Sequence, residues 1–483
     1  MLFIYQMSIA QKLYDQWPFS DFVTTSFFDI TSGEPQSFIS SSGMKMEGTV
    51  ASICDTLGSI LLYTNGIYIA DSTHKMIENG DGLNPGFFAE LYKNSGYKNQ
   101  WGAVFISVPS EIENYYLIHT GVEKNDSLVA QFSPLYYTTI KKEKGKFSVT
   151  SKNQILQTGN LMPFVVVKHG NGRDWWLIQP SSSFNLYDFY LIDSSGVHWQ
   201  HQQKFDINYY SGIDQPCSGG AQNSISPDGK KLLILDNGCG VLLFDFDRCD
   251  GLLSNLIEIK LESTIGSGSS FSPNSRFVYL NSPNSLFQID TYSTLPKLME
   301  VSKYDEYMSP KQTGFLDFFL ASDGKIYIGP NCFCDFLHVI NAPDSLGSSC
   351  NVGFRQVNLV TNINYGTPMN IPTYLLGPES GSPCDTLTST ATPNLLKYGI
   401  KVYPNPRQAD VIIDITLPNY GIKDGAVLKV NDILGKTVYS YVFSNYSYKH
   451  VVPSGTLVSG YYIASLIYKG ELVKSEKFVV LPK

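Results

Sequence analysis

Short runs of alternating apolar and polar residues, separated by turn sequences, follow one another through residues 17–375. One unit recurs as SICDTLGSILLYTNG at 52–66, SISPDGKKLLILDNG at 224–238, SFSPNSRFVYLNSP at 270–283 and FLASDGKIYIGPN at 319–331. Each unit joins two apolar strands through a turn, such as Ser-Pro-Asp-Gly at 226–229. Because Pro presets φ at the second turn position and Gly accepts a positive φ, this turn predicts a hairpin.

The hairpin units recur at intervals of roughly 45–60 residues, which is typical of propeller blades. A blade is a four-stranded sheet that buries its faces against its neighbours, so residues 17–376 predict a β-propeller of about seven blades. No long stretch has the 3.6-residue apolar period of a helix, which disfavours a βαβ fold. An array of β-sandwiches is the alternative architecture.

A stretch rich in Ser, Thr, Pro and Gly follows the last unit, and its composition at 377–394 is that of a flexible tether. We therefore predict a linker over residues 377–398. Alternation resumes beyond it, and Lys469-Gly470 has the sequence of a two-residue hairpin turn. About seven short strands in residues 399–483 predict a small immunoglobulin-like β-sandwich, so the predicted fold class is all-β.

The boundary between the two regions is the sequence KVYPNP at 401–406. Pro404 and Pro406 fix φ near about −65° and disfavour helix in the residues before them. The segment therefore predicts an extended entry into the first strand of a separate domain.

Composition and charge narrow the classes of function. The chain is 43% hydrophobic, 16% charged and 13% aromatic, which excludes a disordered chain and favours strands. A net charge of −8 argues against a nucleic-acid-binding surface. No apolar run approaches the roughly 18 residues of a transmembrane helix, so no membrane-spanning segment is expected.

The N-terminal sequence MLFIYQMSIAQKLYDQW has an apolar beginning followed by small residues. This pattern resembles the end of a secretory signal peptide cut after Ala10, with the native start upstream of Met1. We predict a leader over residues 1–16, and an ordinary first strand is the alternative.

Eight cysteines favour an oxidised protein outside the cytoplasm. The candidate disulfides pair Cys217 with Cys239, and Cys350 with either Cys332 or Cys334. A zinc site at 332–338 with Cys350 is disfavoured, because C-x-C is not the usual spacing of a zinc knuckle.

Motifs of common enzyme classes do not occur in the sequence: it lacks G-x-S-x-G, H-E-x-x-H and G-x-x-x-x-G-K-[ST]. In DFDRCDG at 245–251, Cys249 stands where a calcium loop needs an oxygen ligand, so we predict a hairpin end. His198 and His201 are expected on opposite faces of a strand. We predict no catalytic residue, cofactor or metal.

Residues 398–483 resemble the type A C-terminal sorting domain of the Bacteroidota type IX secretion system. The resemblance rests on VYPNP at 402–406, VNDILGKTVY at 430–439, PSGTLVSGYYIASL at 453–466 and the final strand that contains lysine. The residues that match the sorting motif are Tyr403, Pro404, Asn405, Pro406, Gly435, Gly460, Tyr461 and Lys477. The preceding residues resemble propeller proteins found upstream of such domains, and YGTPMNIPTYL at 365–375 matches their last strand.

The resemblance implies export to the cell surface or the extracellular space by way of the periplasm. The translocon of the secretion system would recognise the C-terminal sandwich, and a sortase-like peptidase would remove it within the tether. The propeller would then be joined to an anionic lipopolysaccharide. Asp-Thr-Leu at 385–387 resembles the O-glycosylation sequence of these bacteria, which makes Thr386 a candidate glycosylation site.

Three functions are open for the predicted propeller. We favour a non-catalytic binding or adhesion module that presents Trp175, Trp176 and Trp199 to an extracellular glycan or protein. The alternatives are a secreted glycan hydrolase or lyase, with carboxylates or histidines at the mouth of the central channel, and a structural subunit of a surface assembly.

Overall fold

A computed structural model gives the fold of the described residues, which are 12–21, 23–111, 113–124, 130–207, 221–236, 240–260, 266–282, 284–305, 314–330, 333–363, 367–369, 371, 373–374, 376–385, 399–403, 410–416, 426–433, 435–443, 449–453, 455–468 and 471–481. The chain divides into two compact units, Met1–Cys384 and Asp385–Lys483. Strands dominate both units, and the predicted all-β class is confirmed.

Helix is scarce in the described residues. Helix α1 spans Phe87–Tyr92, and two short 3-10 turns span Lys12–Tyr14 and Gly347–Cys350. Within the described ranges, none of the helices has the length and apolarity needed to cross a membrane.

The first unit contains seven antiparallel sheets in the described residues, and the strands of each sheet lie side by side in chain order. Sheet 1 contains β1 (Gln16–Ser20), β2 (Thr25–Asp29) and β3 (Gln36–Ile39), and sheet 2 contains β4 (Ala51–Cys54), β5 (Ile60–Thr64) and β6 (Ile69–Asp71). Sheet 3 contains β7 (Ala103–Ser107), β8 (Tyr115–Lys124), β9 (Ala130–Glu143) and β10 (Lys146–Gln157).

The remaining four sheets of this unit have four strands each. Sheet 4 contains β11 (Val165–Lys168), β12 (Trp175–Pro180), β13 (Leu186–Asp193) and β14 (Gly196–Lys204), and sheet 5 contains β15 (Ser224–Ile225), β16 (Lys231–Asp236), β17 (Gly240–Asp247) and β18 (Leu252–Lys260). Sheet 6 contains β19 (Ser269–Phe271), β20 (Phe277–Asn281), β21 (Ser285–Asp290) and β22 (Met299–Lys303), and sheet 7 contains β23 (Phe315–Leu320), β24 (Ile326–Pro330), β25 (Cys334–Ile340) and β26 (Val352–Ile363).

The predicted turns connect these strands. Between β15 and β16, Gly229 has φ +73°, and its amide donates to the Ser226 carbonyl at 2.8 Å. Between β23 and β24, Gly324 has φ +78°. A side chain at Gly229 would also collide with Arg248 and Leu376, so this position needs glycine for both its φ and its space. The predicted hairpin end at Cys249 is confirmed, because it lies in the turn between β17 and β18.

Consecutive sheets pack face to face, and their apolar side chains form shared clusters. Ile53 and Leu62 of sheet 2, for example, pack with Phe105 and Leu117 of sheet 3. Corresponding clusters join sheets 4 and 5, 5 and 6, and 6 and 7. Because both faces of a sheet are covered in this way, its strands bury nearly continuous apolar runs.

Sheet 7 returns to sheet 1. The rings of Trp17 and Phe319 lie with their centroids 6.2 Å apart, and those of Phe28 and Tyr327 lie 5.3 Å apart. The two sheets share none of the described strands. Side chains therefore close the series of sheets, in an arrangement like that of a β-propeller.

The first strand of a sheet lies innermost, and contacts link β1 to β4, β4 to β7, β11 to β15, β15 to β19 and β19 to β23. Beside β15, the buried side chain of Gln222 donates from Nε2 to the Phe318 carbonyl at 2.7 Å and accepts from the Phe318 amide at 3.0 Å. A Cβ at Gly268 would collide with the Leu316 carbonyl oxygen. The backbone at Gly268, just before β19, therefore lies very close to that of Leu316 in β23.

The second unit consists of two antiparallel sheets in its described residues. One has the strand order β27 (Gly399–Tyr403), β28 (Val411–Thr416) and β31 (Lys449–Val452), and the other has the order β30 (Thr437–Phe443), β29 (Ala426–Asp432), β32 (Gly460–Tyr468) and β33 (Glu471–Val480). Val402 and Ile413 of the first sheet pack with Leu428, Leu466 and Phe478 of the second in one core.

Two sequence-based expectations differ from this fold. Residues 365–375 were expected as a last strand, but sheet 7 ends at Ile363 and no residue described between 367 and 376 lies in a strand. The predicted leader included residues 12–16, but the Tyr14 hydroxyl is buried and donates to the Phe105 carbonyl at 2.9 Å, and β1 begins at Gln16. Residues 1–11 lie outside the described part of the chain.

Asp15 lies at the seam between sheets 1 and 7 and is almost fully buried. Ser322 donates from Oγ to its Oδ2 at 2.9 Å. Burial raises the pKa of Asp15; Ser322 and Lys12 lower it in part, the Asp29 and Asp323 carboxylates raise it, and the net pKa is about 6. The folded state therefore holds a proton on Asp15 at a pH where the unfolded chain has lost it.

We expect Asp15→Asn to stabilise the first unit at pH 7.5. When folding raises the pKa of a carboxyl group, the free energy of unfolding falls as the pH rises from the unfolded pKa to the folded pKa. A difference of about two between these pKa values lowers it by about 2–3 kcal/mol. The advantage of Asp15→Asn should shrink as the pH falls from 6 to 4. Urea unfolding at several pH values measures it, with the exposed Asp250→Asn as the control. An advantage of equal size at every pH would contradict the assignment.

Candidate functional site

Residues 367–384, here called the strap, lead from sheet 7 across the first unit to sheets 4 and 5. At the start of the strap, the Thr367 amide donates to Asp317 Oδ2 of β23 at 3.2 Å. At its end, Cys384 forms a disulfide with Cys249, in the turn after β17. The described residues between these points contact the N-terminal turn and sheets 3, 4 and 5.

Tyr374 of the strap lies among these elements. Its ring centroid is 4.9 Å from that of Trp175 and 5.6 Å from that of Tyr14, and its hydroxyl accepts from the Ser107 amide at 3.0 Å. Burial raises the pKa of Tyr374 to about 12. Tyr374 thus fills the space between the N-terminal turn, β7 and β12 with an uncharged aromatic ring.

Lys168, the last residue of β11, is buried beside this ring. Its Nζ lies 3.9 Å from the centroid of Trp175 and 5.6 Å from that of Tyr374. Burial lowers the pKa of Lys168 to about 8, with repulsion from Arg248 adding to the effect and Asp174 opposing it. The two π faces partly compensate the lost hydration of the ammonium group.

Arg248 fastens the strap to sheet 4. Its Nε donates to the Lys168 carbonyl at 2.9 Å, and one terminal nitrogen donates to the His169 and Gly377 carbonyls at 3.0 Å. Three backbone oxygens thus share one buried guanidinium group, which would be costly to bury without them.

The end of the strap is held by further bonds. The Glu379 amide donates to the Gly170 carbonyl at 2.7 Å, and the Glu379 carboxylate pairs with Lys230 at 3.0 Å. The Cα atoms of Cys249 and Cys384 are 5.5 Å apart, although the residues are separated by 135 positions. Residues 377–384, which the sequence places in a linker, are therefore bound to the first unit.

The disulfide between Cys249 and Cys384 lies outside the predicted candidates. Cys350 is a free, buried thiol in the core between sheets 6 and 7, so its predicted pairing with Cys332 or Cys334 is wrong. Cys334 is disulfide-bonded. Cys217, Cys239 and Cys332 lie outside the described residues. The signal that was missed is a single cysteine within a tether otherwise rich in small residues.

We expect Cys384→Ser to lower the free energy of unfolding of the first unit by about 2–4 kcal/mol, because the disulfide closes a long loop. Glu379→Gln, which breaks the partly exposed ion pair with Lys230 on the same segment, is the matched control and should cost less than about 1 kcal/mol. Denaturant unfolding of the oxidised protein compares the two variants. Equal stability of Cys384→Ser and the parent protein would show that the disulfide adds nothing to the folded state.

Trp175 and Trp176, which the sequence predicts on a binding face, are buried, with 0% and 5% of their surfaces exposed. The prediction is wrong for both residues. Trp175 packs beneath Tyr374, and Trp176 Nε1 donates to the Arg248 carbonyl at 2.8 Å. The third predicted residue, Trp199, is 57% exposed on β14.

A buried carboxylate, that of Asp188, holds the indole of Trp199 in place. Trp199 Nε1 donates to Asp188 Oδ1 at 3.0 Å. The same oxygen accepts from Gln202 Nε2 at 3.0 Å, and Oδ2 accepts from Gln157 Nε2 at 2.9 Å. A carboxylate with three donors is a stable anchor for the indole, and the sequence gives no signal that Asp188 serves this purpose.

Asp193 at the end of β13, Ser195 in the following turn and His198 on β14 lie close together. Ser195 Oγ lies 2.6 Å from Asp193 Oδ1 and 2.8 Å from His198 Nε2. His198 Nε2 also faces Asp193 Oδ1, at 3.5 Å. A catalytic triad needs the two ring nitrogens of the histidine to face different partners. This arrangement is therefore a hydrogen-bonded turn.

No group of three or more His, Cys, Asp or Glu residues that could hold a metal ion occurs within the described ranges. The fully buried His119 uses its nitrogens otherwise, since Nδ1 lies 2.7 Å from Asn84 Oδ1 and Nε2 lies 2.9 Å from Thr138 Oγ1. Burial lowers the pKa of His119 to about 3, which keeps the ring neutral.

The described part of the sorting motif is spread over the second unit. Tyr403 ends β27, Gly435 lies in the turn between β29 and β30 with φ +84°, Gly460 and Tyr461 begin β32, and Lys477 is exposed on β33. Pro404, Asn405, Pro406 and the candidate glycosylation site Thr386 lie outside the described residues.

Residues 401–481 match the family model of the secretion system C-terminal sorting domain. The chain carries the sorting tail of a type IX secretion cargo. The match begins in β27 and ends just after β33, so the sorting tail coincides with the second unit. The tail indicates export to the cell surface or the extracellular space.

Several solved structures resemble this chain. A functionally unknown protein from Desulfotomaculum acetoxidans DSM 771 is 13% identical, over 74% of this chain and 99% of that chain, with a TM-score of 0.43. PorZ, an essential surface component of the type IX secretion system of Porphyromonas gingivalis, is 13% identical, over 97% of this chain and 70% of that chain, with a TM-score of 0.31.

PpgL, a periplasmic gluconolactonase of Pseudomonas aeruginosa, is 13% identical, over 85% of this chain and 98% of that chain, with a TM-score of 0.36. All three TM-scores are below 0.5, so these similarities assign no activity to this chain. No curated protein matches the sequence.

Proposed function

We propose that this chain is a surface-displayed or secreted protein in which the first unit, a seven-bladed propeller, is a non-catalytic binding module. Residues 399–483, an immunoglobulin-like sandwich, direct its export through the type IX secretion system. The observation that carries the proposal is the sorting-domain match at 401–481. Because this unit has an apolar core made from its own strands, it can act as an address without contributing to what the first unit does.

The translocon recognises the sorting tail in this proposal, and a sortase-like peptidase removes it and joins the first unit to an anionic lipopolysaccharide. Cleavage falls within residues 385–398, between the disulfide at Cys384 and the start of β27 at Gly399. Cleavage there preserves the strap, whereas cleavage at 377–384 would release the bonds of Glu379 and Cys384.

Binding is favoured over catalysis by what occupies the innermost part of the first unit. Asp15 and Asp317, at or beside the innermost strands, already accept hydrogen bonds from Ser322 and from the strap residue Thr367. Tyr374 fills the space beside Trp175. A glycan hydrolase or lyase would need carboxylates that reach a substrate, whereas Trp199 presents its indole at the edge of sheet 4.

Deletion of residues 399–483 should leave the first unit folded and retained in the periplasm, because the deleted strands supply none of its core clusters. Cell fractionation and surface protease digestion measure the location. Full-length Trp199→Ala is the matched control and should reach the surface as the parent protein does. Surface display of the truncated chain would refute the role of the tail as an address.

The mature protein should end at a residue between 385 and 398 and should retain the disulfide between Cys249 and Cys384. Mass spectrometry of the C-terminal peptide, with and without reduction, measures both features. A mature chain that ends before Cys384, or one that retains the sorting tail, would contradict the proposed processing.

A further inference from the structure

The outer edge of sheet 4 displays a tryptophan in a fixed orientation. We propose that Trp199 and the amide side chains around it form a binding site for a neutral polysaccharide. This inference rests on the proposed binding function of the first unit, and it adds the place of binding and the chemical class of the ligand.

The indole is oriented before any ligand arrives. Trp199 Nε1 is bonded to Asp188, which is only 8% exposed, and Gln202 and Gln157 hold the carboxylate from two sides. Gln157 belongs to β10 of sheet 3 and accepts from the Tyr190 hydroxyl of sheet 4 at 3.1 Å. Because two sheets fix the anchor, little side-chain freedom remains to be lost on binding.

Among the described strands, the one that carries Trp199 is paired on one side only. In sheet 4, β14 pairs with β13 and forms the edge. The register places Trp199 opposite Tyr190 and His201 opposite Phe189, so Gln200 is an extra residue in a bulge. Gln200 is exposed, and its Nε2 donates to the His198 carbonyl at 3.3 Å. Bulges of this kind re-aim the neighbouring side chains on an edge strand.

These groups match the chemistry of a sugar ring. The apolar C–H face of a pyranose can lie on the indole, and its hydroxyl groups need both donors and acceptors, which the amides of Gln200 and Gln202 provide. Asp188 carries the local negative charge, and the donors around it are neutral. That charge disfavours a polyanion, so we infer a neutral polysaccharide in preference to an acidic one.

The distribution of tryptophans makes the site measurable. The chain has five tryptophans. The other four are buried, with exposed fractions of 0% for Trp17, 3% for Trp101, 0% for Trp175 and 5% for Trp176. Oxidation by N-bromosuccinimide and quenching by acrylamide should therefore act first on Trp199.

The test uses the full-length oxidised protein with laminarin, mannan and galactan as neutral probes and dextran sulfate as the anionic one. Calorimetry should show binding of at least one neutral probe, and that probe should protect Trp199 from oxidation. Trp199→Ala should weaken this binding by about tenfold or more, as truncation of a central aromatic contact does. Trp199→Phe should lose less, because it keeps a ring.

Two further variants distinguish the role of Asp188 in orienting Trp199 from a general loss of structure. Asp188→Asn should weaken binding less than Trp199→Ala and should increase acrylamide quenching of Trp199, because the indole loses its charged acceptor. Tyr292→Ala, at a residue 61% exposed in the turn after β21, should bind as the parent protein does. Circular dichroism and the melting temperature confirm that each variant is folded.

Three results would overturn the inference: no neutral probe binds, Trp199→Ala binds as well as the parent protein, or dextran sulfate binds more tightly than every neutral probe. A surface protein that binds the parent but not Trp199→Ala, and is not displaced by the polysaccharides, would show that this edge is a protein interface. In that case the binding function stands and the ligand class fails. Export that persists without residues 399–483 would refute the proposed role of the sorting tail and leave the proposed binding function, on which the sugar site rests, untouched.

Discussion

The seam between sheet 7 and sheet 1 is the constraint on which the first unit depends. Among the described strands the two sheets share none, so no described backbone ladder joins the end of the series to its start. Packing of Trp17 on Phe319 and of Phe28 on Tyr327 closes it instead. Side-chain packing lacks the directional bonds of a ladder, and the strap adds a second connection that leads from sheet 7 to sheets 4 and 5.

The strap also brings distant side chains of the first unit together. It places Tyr374 beside Trp175 and Lys168, and it is secured by Arg248 and by the disulfide to Cys249. Buried charged and aromatic side chains of this region therefore hold the fold together. At the edge of sheet 4, in contrast, the indole of Trp199 is exposed and donates to the buried carboxylate of Asp188.

Much of the fold could be predicted from local patterns. The turn at 226–229 specifies a hairpin through Pro and Gly, and that hairpin is present between β15 and β16. Alternating runs predicted strands in both units, because the period of two is a property of the strand itself. The strap at 367–384 could not be predicted in this way, because its conformation depends on contacts with residues more than a hundred positions away.

The sequence by itself determined the all-β class, the hairpin turns and the sorting tail, since each depends on residues that are neighbours in the chain. Only the tertiary structure decided which of three exposed-looking tryptophans is available: Trp175 and Trp176 are buried, and Trp199 is on the surface. It likewise decided that Cys249 pairs with Cys384 and that Cys350 stays free. Burial and disulfide pairing depend on which distant segments meet, and neither a strand pattern nor a motif contains that information.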